Sequence, residues 1–167
     1  MSVANFTYIS EKFYECNKHE EKIRIAQKNL SILMPLSYKK YCSLNDVEIS
    51  FIDQLIFRFS KLQDSIGEKI FPGILILSGE ETKKKTFIDI LNRIEELEIV
   101  DKEKWLQLRE SRNEIAHEYS FNSDEVVIAI NKIFTAADDL IHIYHSAKNF
   151  CKSKFPFIEQ DALSIKK

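Results

Sequence analysis

The sequence is poor in the two residues that most often interrupt helices. Its 167 residues include 3 glycines and 3 prolines. An all-β fold needs many tight turns, and tight turns draw heavily on both residues. Their scarcity argues against an all-β fold and favours long, uninterrupted helices.

Cysteines are equally few, and their spacing fits neither a disulfide framework nor a zinc site. Cys16, Cys42 and Cys151 are far apart and odd in number, and no CxxC pair occurs. The simplest interpretation is that they are reduced thiols in a cytoplasmic protein. The carboxylates of the chain also lack the spacing of metal ligands near the unusual segment described below. We therefore expect neither a metal nor another cofactor.

Long apolar runs are missing as well. The N-terminal segment MSVANFTYISEK has no basic stretch followed by an apolar one, so we expect no secretory signal. The longest apolar stretch, around IFPGILIL, is too short to cross a bilayer and contains Pro72 and Gly73. The sequence therefore predicts a protein without a membrane partner.

Charge of one sign is not in excess either. The 24 basic and 26 acidic side chains give a formal net charge of −2. A protein that binds nucleic acid through a broad basic surface would be more positive, so any such contact must be local. With 44% hydrophobic and 30% charged residues, the composition is that of a globular protein. The length predicts one domain, residues 1–167, with a core over about 45–152, an N-terminal helix over about 10–33 and a tail at 156–167 that can fray.

Most of the chain has the apolar periodicity of helices. Asn45 is a predicted N-cap with Glu48 at the capping-box position, and the helix that follows is predicted to end at Pro72–Gly73. The stretch GILIL after it is either a short strand or a buried helical turn. Further helices are predicted over about 86–97, from Asp101 to the break at SFNSD, and over about 124–152. These elements predict an all-α, up-and-down bundle of four to five helices, in which the last two are antiparallel neighbours.

The segment RESRNEIAHEY, residues 109–119, departs from the pattern of an ordinary amphipathic helix. Trp105, Leu108 and Ile115 fall on one apolar arc, and Arg112 falls within the same arc. A guanidinium group aimed at an apolar face is costly unless it has a partner, which is either another protein group or an anion. The plain alternative is that this arginine snorkels to the surface or pairs with Glu110 or Glu114.

A second stripe, formed by Arg109, Asn113 and His117, runs beside this arc, with the small Ala116 between the two. Guanidinium and imidazole groups around a gap suit a phosphate, because arginine can hold two oxygens and histidine exchanges protons near neutral pH. This chemistry suggests cleavage of RNA without a metal, with the 2′-hydroxyl as internal nucleophile. On one helix Arg112 and His117 lie roughly 140° apart, which is too wide for one small phosphate to touch both easily.

The arrangement R-x4-H-x-Y, with an asparagine after the arginine (RNEIAHEY), resembles the motif of the HEPN superfamily. Within it, the chain is similar to HepT-like toxins that are paired with a minimal nucleotidyltransferase antitoxin of the MntA type. The resemblance covers about residues 45–150. It implies a helical bundle that forms a homodimer, or a higher oligomer, in which two motif helices face each other across a cleft. It also implies a metal-independent endoribonuclease toxin that cleaves RNA.

The resemblance assigns roles to individual residues. Arg112 and His117 would be catalytic, and Asn113 would orient the phosphate or the histidine. Arg109 would add positive charge for RNA in the dimer cleft. Tyr119 would be the residue that the antitoxin modifies with AMP, so that a bulky anion occupies the phosphate site.

Other interpretations stay open. The chain could be a non-catalytic partner of a nucleotidyltransferase, whose cleft holds a nucleotide or substrate without cutting it. It could also be a helical scaffold in which the motif has no function. The lysines at 83–85 either touch an RNA backbone or belong to a solvated loop.

Overall fold

A computed structural model describes residues 3–118 and 123–155; at 116–118 and 123 it describes the backbone alone. The α-helices are α1 (Val3–Leu30), α2 (Tyr38–Cys42), α3 (Asp46–Ser65), α4 (Phe71–Leu77), α5 (Phe87–Glu96), α6 (Lys102–Glu118) and α7 (Ser123–Lys154). A 3₁₀ turn over Ser31–Leu33 follows α1, and a π-helical turn over Ile66–Ile70 joins α3 to α4. These ranges contain no strand, so the predicted all-α fold is confirmed. The described residues do not include Tyr119, residues 120–122 of the predicted SFNSD break or the tail at 156–167.

Side-chain caps begin several helices where the sequence predicts them. The Asn45 side chain accepts a hydrogen bond from the Glu48 backbone at 2.9 Å, and the Glu48 carboxylate accepts one from the Asn45 backbone at 2.9 Å. The predicted capping box is therefore confirmed. Asp101 caps α6 in the same manner, since its Oδ1 accepts from the Lys104 backbone at 2.9 Å. The loop before α5, which carries the lysines at 83–85, is exposed at the surface.

The predicted helix end at Pro72–Gly73 is wrong, because the helical path continues through both residues. The Phe71 N–H donates to the carbonyl of Ile66, five residues back, and the turn is wider than an α-helical one. In a regular helix the proline ring would clash with the carbonyl four residues earlier. The wider π turn gives the ring room, and GILIL lies within α4 instead of a strand.

Contacts between helices define their directions. On α1 and α3, Gln54 donates to the Lys22 carbonyl while Arg58 meets His19, so the two helices run antiparallel. On α6 and α7, Lys132 pairs with Glu114 at 3.0 Å while Lys104 pairs with Asp139 at 3.1 Å, so these also run antiparallel, as predicted.

The first and last helices cross the bundle in opposite directions too. Gln27 donates to the Phe134 carbonyl, and Tyr144 donates to the Phe13 carbonyl at 3.0 Å. Together α1, α3, α6 and α7 alternate in direction along the chain, which agrees with the predicted up-and-down bundle. The short α5 packs beside α4 and α6.

One hydrophobic core joins the long helices. The first helix begins at Val3, earlier than predicted, and buries Ile9, Phe13 and Ile23 in this core. The largest fully buried side chains include Trp105 and Tyr144. Among the described helices, none has the length and apolar character needed to span a bilayer.

Candidate functional site

Helix α6, which carries the arginine and histidine of the motif, is fixed at its start and along one face. The Glu95 carboxylate accepts a hydrogen bond from the Lys102 backbone at 2.6 Å. Trp105, Leu108 and Ile115 are all buried, so the predicted apolar arc is confirmed. The residues that follow on the helix are thereby held in a defined orientation toward α3 and α7.

Arg112 lies at the edge of this arc and pairs with a carboxylate of α3. Its Nη2 donates to Asp64 Oδ2 at 3.1 Å, and the two side chains are 37% and 36% exposed. This partner is neither of the two acidic residues considered from the sequence. Glu114 instead accepts from Lys132 Nζ of α7 at 3.0 Å. The partner that an arginine on an apolar arc requires is thus a protein group of the same chain.

The Arg112–Asp64 pair leaves part of the guanidinium group accessible. A guanidinium has five N–H donors, and the bond to Asp64 engages one of them. The carboxylate holds the arginine in one orientation, as charge-assisted hydrogen bonds do. An anion that reaches Arg112 also meets the negative charge of Asp64, so the site is less positive than the motif alone indicates.

Arg109 and Asn113, the predicted RNA-binding residues, both lie on the exposed side of α6. The Arg109 guanidinium lies over the Phe87 ring, 5.0 Å from its centroid. That contact turns the arginine toward α5 and the side of α6 that faces α3. Arg109 and Arg112 line the same cavity, so these two predicted site residues are brought together.

His117 belongs to the last turn of α6, which ends at Glu118. The described part of the chain gives the backbone of His117 but not its side chain, and Tyr119 lies outside the described residues. The arginine and the histidine therefore share one unbroken helix. Their meeting at a phosphate, within one chain or between two, stays a prediction.

A cavity of about 250 Å³ lies between α3, the π turn, α5 and α6. It is lined by Gln63, Asp64, Gly67, Glu68, Phe87, Trp105, Arg109 and Arg112. Two arginines and two carboxylates balance in formal charge around it. Gly67 lets the helices approach closely here, because an added Cβ would stand 2.9 Å from Trp105 Cζ2.

Two residues that line this cavity carry a buried polar group without a hydrogen bond to any residue that the structure describes. Gln63 is 4% exposed, and neither its amide nitrogen nor its amide oxygen has a partner among the residues that the structure describes. The same is true of the indole Nε1 of Trp105. Buried polar groups are nearly always satisfied, so this pair marks the cavity as unusual.

The sequence interpretation missed Gln63, although a signal for it exists. Gln63 stands one residue after Leu62, four after Phe59 and three before Ile66, so it falls on the apolar face of α3. A glutamine at that position is a polar residue within a core stripe. The structure confirms that it is buried.

A larger depression of about 670 Å³ lies at the opposite end of α6, away from the motif. Glu95, Glu98 and Asp101 line it together with Lys104 and His142. Its acidic excess does not suit a phosphate. The smaller cavity beside Arg112 is therefore the better candidate site.

No family model, curated protein or solved structure matches the chain significantly.

Proposed function

We propose that the protein is a metal-independent endoribonuclease of the HEPN type, acting as a homodimeric toxin in the cytoplasm. The observation that carries this proposal is the fixed, partly open guanidinium of Arg112, five residues before His117 on one unbroken helix. This is the arrangement that the R-x4-H motif requires of its two functional residues. A nucleotidyltransferase antitoxin would neutralise the protein by adding AMP to Tyr119.

In the proposed reaction, the 2′-hydroxyl of RNA attacks the adjacent phosphorus and gives up its proton to an imidazole. The bond from phosphorus to the 5′-oxygen breaks, and that oxygen takes up a proton from an imidazolium. The products are a 2′,3′-cyclic phosphate and a 5′-hydroxyl, without net consumption of water or metal. His117 supplies the acid–base group, and Arg112 stabilises the charge that builds up on the phosphate oxygens.

The remaining residues have supporting roles in this proposal. Asp64 fixes the Arg112 guanidinium while its other donors face the phosphate. Asn113 orients the phosphate or the imidazole, and Arg109 adds positive charge. Because Arg112 and His117 project roughly 140° apart on their helix, the complete site needs His117 of the partner subunit.

The direct test is incubation of the purified protein with RNA in excess chelator. We expect the wild type to cut RNA and both Arg112→Ala and His117→Ala to lose cleavage. Arg24→Ala and His142→Ala are the matched controls, since they remove an arginine and a histidine from exposed positions on other helices. Equal absence of cleavage in the wild type and in both motif variants would refute the enzyme.

Mixing the two inactive variants tests the shared site. If each site takes Arg112 from one chain and His117 from the other, random re-association restores about a quarter of the wild-type activity. Half of the dimers are then mixed, and each mixed dimer holds one intact site of two. If both residues act within one chain, mixing restores nothing.

A non-catalytic, nucleotide-binding partner of a nucleotidyltransferase is the second candidate. The observation that favours it is the carboxylate pair Asp64 and Glu68 beside the two arginines, which weakens the pull of the site on an RNA backbone. This alternative predicts binding of nucleotides without any RNA cleavage. Loss of nucleotide binding in Arg112→Ala, with no cleavage by the wild type, would decide for it.

A further inference from the structure

The cavity beside Arg112 contains more than the groups that a phosphate needs. Gln63 and Trp105 line it, and the amide of the one and the indole N–H of the other are buried without a protein partner within the described ranges. A glutamine amide offers two donors and one acceptor, and an indole offers one further donor. Together, these groups can offer a ligand three donors and one acceptor.

The charges of the cavity disfavour the binding of an anion in addition to the phosphate that is proposed to bind Arg112. Asp64 and Glu68 line it beside Arg109 and Arg112, so that the formal charges cancel. An additional phosphate would face two carboxylates, whereas a neutral polar ring would not. The size points the same way, because about 250 Å³ lies below the usual range of drug-sized pockets and suits a single ring system.

The surroundings of the cavity also suit a flat ring. Phe87 and Trp105 are aromatic, and the Arg109 guanidinium already makes a cation–π contact with Phe87, 5.0 Å from the ring centroid. Unpaired RNA bases are recognised by stacking on aromatic rings and arginine planes and by hydrogen bonds along their edges. The π turn Ile66–Ile70 borders the cavity, and such turns occur frequently at functional sites.

We propose that this cavity binds one unpaired nucleobase, adenine, with the Gln63 amide on the edge that carries N6 and N7. Glutamine pairs with that edge through two hydrogen bonds, one donated and one accepted. Arg109 is exposed at the rim, whereas the Gln63 amide is buried, so binding requires the long Arg109 side chain to move aside and uncover the amide. An adenine bound here, next to the cleaved phosphate, would set the sequence preference of the nuclease. This part of the inference rests on the proposed nuclease function.

Trp105 makes the test direct, because it is the single tryptophan of the sequence and lines the cavity. Titration of the wild type with adenosine, guanosine, cytidine or uridine is followed by tryptophan fluorescence. We expect a saturable change in emission with adenosine, at a lower concentration than with the other three nucleosides. Inorganic phosphate, which has no base edge to pair with the Gln63 amide, should not compete with adenosine.

Gln63→Leu is the decisive variant, because leucine fills the site without leaving a buried amide unpaired and should fold well. We expect its adenosine affinity to fall at least about fivefold, which is the lower end of the discrimination that a bidentate contact to a base provides. Gln54→Leu is the matched control on α3, whose amide instead donates to the Lys22 carbonyl. It should bind adenosine like the wild type.

The outcomes separate this inference from the proposed function. Absence of saturable nucleoside binding, or equal affinity in Gln63→Leu, overturns the base site even if the protein cuts RNA; the buried amide is then hydrated. A preference for a base other than adenine overturns the assignment as well. Adenosine binding that depends on Gln63, without RNA cleavage, supports the base site and refutes the nuclease. If both hold, Gln63→Leu should still cleave RNA but with a changed preference for the cleavage position.

Discussion

Asp64 and Arg112, 48 residues apart in the sequence, are joined by one hydrogen bond of 3.1 Å between α3 and α6. The bond places a negative charge beside the residue on which the proposed chemistry most depends. Both side chains are more than a third exposed, so the pair resembles a surface ion pair in its energetics. Its main effect is on the orientation and local charge of the arginine.

Replacing Asp64 by asparagine tests whether the pair affects the charge around Arg112 more than the stability of the fold. Asparagine keeps an acceptor for Arg112 but removes the charge, so we expect the free energy of unfolding to change by less than about 1 kcal/mol. RNA affinity at low salt should rise, because the repulsion of phosphate is removed. Denaturant unfolding and filter binding measure the two effects.

Glu114→Gln is the matched control for this change, because it removes the carboxylate that pairs with Lys132 and stands on α6, the helix of Arg112. It should alter stability by a similarly small amount and raise RNA affinity less. Weaker RNA binding in Asp64→Asn than in the wild type would contradict the repulsive role of the carboxylate.

Gly67→Ala should destabilise the protein by about 1–3 kcal/mol, the usual cost of overpacking. Its Cβ would stand 2.9 Å from Trp105 Cζ2, in a ring that is buried and cannot move aside easily. Gly73→Ala is the control, since its closest neighbour is the flexible Cδ1 of Ile9 at 3.2 Å. There the higher helix propensity of alanine offsets the contact, and we expect little change. Equal losses at both positions, measured by chemical denaturation, would contradict the tight packing of Gly67 on Trp105.

The cysteines should differ sharply in reactivity. Burial raises the pKa of the Cys16 thiol and of the Cys151 thiol to about 12, whereas Cys42 is exposed. The thiolate is the reactive form, so a thiol reagent near neutral pH should modify Cys42 quickly and the other two upon unfolding. Cys42→Ser should abolish the fast phase; a fast phase that persists in this variant would refute the burial of the other thiols.

His19 should make stability depend on pH. Burial, followed by the positive charge of Arg58, lowers the pKa of its imidazole below 6.5. Arginine donates only, so His19 Nδ1 accepts the 3.1 Å bond from Arg58 and the ring is neutral in the folded state. The unfolded chain then takes up a proton first as the pH falls. The contribution of His19 to stability is present above the unfolded-state pKa and is lost as the pH falls through the lower folded-state value.

The measurement for His19 is the free energy of unfolding between about pH 8 and about pH 5, in the wild type and in His19→Gln. The wild type should lose more stability over this range than the variant does. Parallel curves for the two proteins would show that the folded environment leaves the imidazole pKa unchanged.

Features that depend on neighbouring residues in the chain could be predicted from the sequence. The capping box of Asn45 and the cap of Asp101 are local rules, because each side chain meets a backbone group three residues away. The apolar arc of Trp105 follows from helical periodicity alone. The same locality explains why the order of the long helices agrees with the prediction, although the start of α1 and the end predicted at Pro72–Gly73 do not.

Features that depend on packing between distant segments could not be predicted. The sequence shows that Arg112 needs a partner, but its partner Asp64 stands on another helix, and only the three-dimensional arrangement brings them together. The π turn before Pro72 is of the same kind, since a proline ordinarily ends a helix. The apolar stripe of α3 marks Gln63 as a polar residue on a core face, but the lack of a partner for its buried amide is seen only in the folded structure.

The presence of Pro72 also fixes how many residues the turn before it must contain. A π turn holds one residue more than the regular helix around it, and here the extra residue lies between Ile66 and Ile70. Deleting one residue from this segment would restore a regular turn and bring the carbonyl four residues before the proline against its ring. A straight, regular helix through this segment therefore requires both changes together, the deletion of one residue and the replacement of Pro72.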